Sequence, residues 1–158
     1  MSLKITKDNV AALLSNIHAM TRKEVLVGVP GESAGRNGEA INNAALAAVH
    51  NNGSPVNNVP ARPFLVPGIE NAQGQILRLL EAGARRGLEK PGEVEDALER
   101  AGIVAAVSVR KVIVSQEGFE ELKPGTLKAR QRKGFQGTKA LIQSGQLLNS
   151  ITHVVRNK

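Results

Sequence analysis

The chain contains no cysteine, tryptophan or tyrosine, and only three phenylalanines in 158 residues. Without cysteine there can be no disulfide, no thiolate metal site and no cysteine nucleophile, a composition that fits synthesis in a reducing cytoplasm. With so few aromatic rings, the core must be assembled from Ala, Val, Leu and Ile, which suits helices packed closely on a small sheet. No segment approaches the ~18 consecutive apolar residues of a membrane span. The opening Met1-Ser2-Leu3-Lys4 runs directly into an amphipathic segment without the apolar core and cleavage site of a signal peptide. The expectation is a soluble protein in one domain, residues 1–158, long enough to bury its own core.

Groups that carry catalysis are also scarce. A nucleophile–His–acid arrangement needs a histidine oriented by a carboxylate. The three histidines are His18 and His50, within or at the end of expected helices, and His153, in an expected strand with no acidic residue after it. There are two aspartates, Asp8 and Asp96, and no His-x-x-His pair or Asp-rich loop that would hold a metal. Glu93, Glu95 and Glu99 cluster near a helix start, where they favour the helix dipole. Gly28-Val29-Pro30-Gly31 follows a strand but lacks the Gly-Lys-Ser/Thr of a phosphate loop, and Pro30 removes a needed N–H donor. It reads as a turn. The sequence therefore gives no reason to expect an enzyme, a cofactor, a metal or a small-molecule substrate.

What the chain does have is positive charge, unevenly spread. The net charge is +7, and Glu121 is the last acidic residue; eight Lys or Arg follow it without one to balance them. A one-sided basic segment points to nucleic acid or to an acidic protein surface, with a solubilising surface as the plain alternative. The run holding Lys128, Arg130, Arg132, Lys133 and Lys139 surrounds Phe135. It could grip a phosphate backbone, but one aromatic outside any recognisable nucleic-acid module does not specify base stacking.

Apolar spacing predicts a helix over residues 8–20, capped by Thr6 or Asp8, then a strand over 24–29 so continuously apolar that a central place in the sheet is expected. Residues 31–38 read as a mobile loop. A second helix over 39–51 is rich in small residues that allow close approach to a neighbour, with Gly53 as its stop. A third runs over 67–90, and Pro91-Gly92 breaks it from a fourth over 93–115. In that fourth segment the β-branched residues 107–114 could form a strand, but the 3–4 spacing before them favours helix. Residues 117–140 show no hydrophobic period and read as a long mobile loop. A short helix over 141–150, capped near Ser144, and a strand over 151–155 complete an α+β domain. Its small, mostly antiparallel sheet is packed by several helices and carries long flexible loops.

The stretch with the most local constraint lies between the second and third helices. In Val59-Pro60-Ala61-Arg62-Pro63-Phe64-Leu65-Val66-Pro67, Val59, Arg62 and Val66 each precede a proline, which presets extended backbone. Pro60, Arg62, Pro63 and Phe64 are candidate assembly contacts, Phe64 having core packing beneath the loop as its alternative role. The two differ in outcome: a core Phe64 loses about 3–5 kcal/mol of stability on truncation to Ala, whereas an interface Phe64 leaves the monomer folded.

The central block from Gly53-Ser54-Pro55 through Pro60-Ala61-Arg62-Pro63-Phe64-Leu65-Val66-Pro67-Gly68-Ile69 resembles the loop of tailed-bacteriophage virion-morphogenesis and tail-completion (neck) proteins. Val25-Leu26-Val27-Gly28-Val29-Pro30, Leu122-Lys123-Pro124-Gly125-Thr126-Leu127-Lys128-Ala129-Arg130 and Leu141-Ile142-Gln143-Ser144-Gly145-Gln146-Leu147-Leu148-Asn149-Ser150-Ile151-Thr152 are similar in order and spacing. The chain departs from the family pattern at Asn51 and Asn52, where an acidic residue is usual before the loop glycine, at Gln143-Ser144-Gly145, and at His153, often Tyr. The resemblance implies a structural, non-catalytic virion component made in the bacterial host cytoplasm. It would assemble as a homo-oligomeric ring at the head–tail joint, against other neck, connector or tail proteins, with no membrane partner and with non-specific contact to phage DNA open. The competing expectation is a non-specific DNA-binding accessory protein of packaging or assembly.

Overall fold

The computed structural model describes residues 10–35, 41–90 and 92–158. Among the described residues six α-helices and two strands follow the order α1 (Val10–Thr21), β1 (Lys23–Gly28), α2 (Asn43–Asn52), α3 (Leu65–Gly87), α4 (Gly92–Ser115), α5 (Pro124–Arg132), α6 (Gln146–Ser150) and β2 (Thr152–Asn157). The architecture is α+β, as the periodicity implied. The expected caps Thr6 and Asp8 and part of the 31–38 loop lie outside the described residues.

The frame is the α3–α4 hairpin. Two long helices joined by a short connection must run antiparallel, and here their faces are made of small residues. Gly68 sits on the backbone of Val109 at one end and Gly83 on Ala97 at the other, so close that neither position has room for a Cβ. Gly68, Ala72, Gly83 and Gly87 of α3 and Ala97, Ala101, Ala105 and Val109 of α4 are buried. Close approach was expected of the second helix; it belongs instead to this pair. The β-branched residues 107–114 are helical, so the 3–4 spacing decided correctly.

β1 and β2 form an antiparallel ribbon in the register Lys23↔Asn157 through Gly28↔Thr152. One face lies on α4: the His153 ring covers Gly102, and the Lys23 ammonium pairs with Glu95. The other face carries Leu26 opposite Val154 and the Glu24–Arg156 ion pair at 2.9 Å. Among the described residues the sheet has two strands, so β1 is not central there. Its unbroken apolar run reflects burial by α4 on one side and an exposed apolar face on the other.

The main core gathers where the C-terminal half of α4 meets α2, α6 and residues 140–141. Phe64, Val109, Ile113 and Ile151 are the largest fully buried side chains there. Three local expectations change. Residues 117–140 are not one loop, because α5 occupies 124–132 with Pro124 in its first turn; it escaped notice because it has almost no apolar face. The third helix starts at Leu65, and Pro67 falls in the first turn, where its missing N–H has no intrahelical partner to lose. The last helix, expected over 141–150, begins only at Gln146, after Gly145 in left-handed conformation, with the Ser144 hydroxyl accepting from the Gln146 N–H at 3.5 Å.

Candidate functional site

The proline-rich loop is positioned by bonds that its own sequence does not reveal. Gly53, at φ 79°, ends α2 and lies too close to Ala61 for a side chain. A Ser54–Val59 bridge closes the turn, and the Arg62 N–H donates to His50 O at 2.8 Å. The start of α3 has no capping side chain of its own, since Phe64 stands at that position. Asn51 reaches across from α2 instead: its Oδ1 accepts from the N–H groups of Phe64 and Leu65 at 3.1 and 3.2 Å. An unusual position in the resemblance thereby acquires a physical task, satisfying two orphan donors of a helix N-terminus.

This geometry divides the expected assembly residues. Phe64 is 0% exposed and belongs to the core, so it is not a contact residue. Arg62 is 5% exposed; its Nε and Nη2 donate to Glu120 O at 3.3 and 3.1 Å, tying the loop to a segment 58 residues away. Pro63 is exposed and Pro60 half-buried, leaving those two able to meet a neighbour.

The basic residues divide likewise. Lys128, Arg132 and Lys133 are exposed. Lys139 is exposed but donates to Val114 O at 2.8 Å. Arg130 is not a surface cation at all: it is 8% exposed, and its Nη1 donates to the carbonyls of Gly137, Lys139 and Ile142 at 3.1, 2.7 and 3.4 Å. An irregular segment needs donors for its carbonyls, and the guanidinium fork supplies them. Burial, and then the charge of Arg62, push the Arg130 guanidinium below its ordinary pKa.

Arg62 and Arg130 line the same cavity, about 340 Å³, enclosed by α2, the 58–62 turn, residues 120–126 and the start of α6. Leu46, Val59, Leu122, Leu141 and Leu147 give it apolar walls. Neither arginine has a carboxylate within ion-pair distance among the described residues. Sequence reasoning named both arginines but assigned them to two separate loops; only tertiary contact brings them together.

His153 has an acidic partner after all, Glu99, whose Oε2 lies 2.7 Å from its Nε2. Glu93 and Glu95 sit in the first turn of α4 as expected for the dipole, and they also pair with Arg86 and Lys23. Among the described residues no cluster of three or more His, Cys, Asp or Glu could hold a metal, and no helix is long and apolar enough to cross a membrane. Comparisons of the chain with protein-family models, curated proteins and solved structures give no match.

Proposed function

We propose that this chain is a structural, non-catalytic component of the head–tail joining region of a tailed bacteriophage, assembling as a ring during virion morphogenesis. The observation that carries the reading is an unfinished sheet. Two strands alone are marginal in water, and here one ribbon face is held by α4 while the other exposes Leu26 (41%) and Val154 (39%). Each strand also has an outer edge without a strand partner among the described residues, and such edges are templates for pairing with another chain. Beside β1, α1 exposes Leu13, Leu14 and Ile17 at helical spacing along one side. A protein that leaves this much apolar surface open is built to meet neighbours. A closed ring would join one patch to a different patch on the next subunit. The resemblance of four sequence blocks to neck and tail-completion proteins supplies the identity of those neighbours.

Electron microscopy of particles from a phage lacking this gene tests the reading. Filled heads beside separate tails are expected; normal, infectious virions would overturn it. A second reading, a non-specific DNA-binding accessory protein, draws on Lys128, Arg132 and Lys133, which are exposed and carry no acidic partner among the described residues. Steeply salt-dependent binding of duplex DNA by the isolated chain, together with intact virions in its absence, would favour that alternative.

A further inference from the structure

We infer that the cavity between α2, α5 and α6 is a socket for a carboxylate side chain, Asp or Glu, presented by an extended peptide segment of a neighbouring protein. The inference starts from an imbalance of charge. Buried cations are ordinarily paired, because removing a charge from water is expensive unless an opposite charge or a full set of hydrogen bonds replaces the solvent. Arg62 and Arg130 are both buried, close enough for one charge to oppose the other, and held only by backbone carbonyls. Those carbonyls engage Nε and Nη2 of Arg62 and Nη1 of Arg130, leaving Nη1 of the first and Nε and Nη2 of the second without protein acceptors. None of these three nitrogens is sealed from solvent. Two guanidinium groups in the wall of one cavity, both with spare N–H donors, match an oxyanion, and carboxylate is the planar anion that such forks engage in pairs.

Two further features favour a peptide over a phosphate. The walls contributed by Leu46, Val59, Leu122 and Leu147 suit an apolar residue flanking the acidic one. Glu120 and Glu121 stand at the cavity with exposed side chains. They oppose the approach of a polyanion such as duplex DNA more than that of a single carboxylate. The socket rests on this cavity alone, so it can fail while the virion reading stands, and the converse.

The test is NMR titration of the whole chain, following the Nε–Hε resonances of Arg62 and Arg130. Acetyl-Leu-Glu-Leu-amide is expected to shift both saturably, and acetyl-Leu-Gln-Leu-amide to bind about tenfold or more weakly, as the loss of a charge-assisted pair demands. Inorganic phosphate and a short DNA duplex are expected to be weaker than the Glu peptide. Equal binding of the two peptides, no saturable shift, or tighter binding of phosphate or duplex would each overturn the proposal. Gln146→Glu, in the cavity wall, provides a second readout: a carboxylate placed there should raise thermal stability and compete out the Glu peptide. Unchanged peptide affinity in that variant would also count against the socket.

Discussion

The same substitution placed at two glycines of one helix should act in opposite directions. Gly68 and Gly74 both lie inside α3. A Cβ at Gly74 meets nothing within 4 Å, whereas one at Gly68 lies 2.5 Å from Val109 Cα and 2.9 Å from its backbone nitrogen. Carbon atoms pack best at about 3.5–4.0 Å, so α3 and α4 would have to separate by about 1 Å where Gly68 meets Val109. Backbone cannot rotate away as a long side chain could. The separation falls beside Val109, which is fully buried against the main core, and a gap of that size forfeits about a quarter to a half of each affected contact. Replacing Gly by Ala gains about 0.8–1.0 kcal/mol of helix propensity at either site, and the unfolded-state entropy term is common to both. Overpacking of a tight core costs about 1–3 kcal/mol; a backbone clash belongs at the upper end, which leaves Gly68→Ala about 2 kcal/mol less stable than wild type. Gly74→Ala should be about 1 kcal/mol more stable. In a chain of this size each kcal/mol moves Tm by about 2–4 °C, so calorimetry should place the variants on opposite sides of wild type. Stability at or above wild type for Gly68→Ala would refute the reasoning.

The remaining expectations concern the bonds that hold the irregular segments. Asn51→Ala should lose about 1 kcal/mol in urea unfolding, because two N–H groups at the start of α3 lose their acceptor. Asn51→Asp should retain wild-type stability or gain about 0.3–1 kcal/mol, since it keeps the acceptor and adds negative charge at a helix N-terminus. Gln116→Met should cost about 3 kcal/mol by the same assay, as Gln116 donates to Ile113 O and Ala140 O and accepts from Ala140 N, beside a buried residue with no access to water. Phe64→Ala should lose about 3–5 kcal/mol, the outcome of a core residue; a fully stable Phe64→Ala monomer would contradict its burial.

The elements legible in the sequence were those whose stability is written in local apolar spacing. Val94, Ala97, Leu98, Ala101, Val104 and Ala105 fixed α4 as a helix, and the β-branched run over 24–29 marked β1. Gly53 correctly closed α2 because a left-handed φ is a local property. What escaped was held by polar contact across long sequence separations. α5 presents one half-buried Leu127 and one buried Arg130, so a search for apolar period finds nothing there. Arg62 and Gln116 reach the carbonyls of Glu120 and Ala140, 58 and 24 residues on, and Arg130 gathers those of Gly137, Lys139 and Ile142 from an irregular stretch with no apolar period. The glycine and alanine spacing of α3 and α4 was a signal present and unread: small residues facing one another predict close backbone approach as surely as leucines predict a core.

The burial of Arg130 also changes what the basic excess means. Eight Lys or Arg follow the last acidic residue, a number that by itself suits nucleic acid. Their placement divides them. Arg130 is inside, Arg156 is paired with Glu24, and Lys123 and Lys139 are hydrogen-bonded to Asn58 and Val114. These side chains organise a segment too irregular to satisfy its own carbonyls, and arginine does so with donors to spare. Charge used in this way remains uncompensated within the fold, and the burial that makes Arg130 a good brace makes its unpaired charge costly. In the socket proposed above, that cost falls when a carboxylate enters, and it is the position of the charge, not its total, that selects a carboxylate over a polyanion.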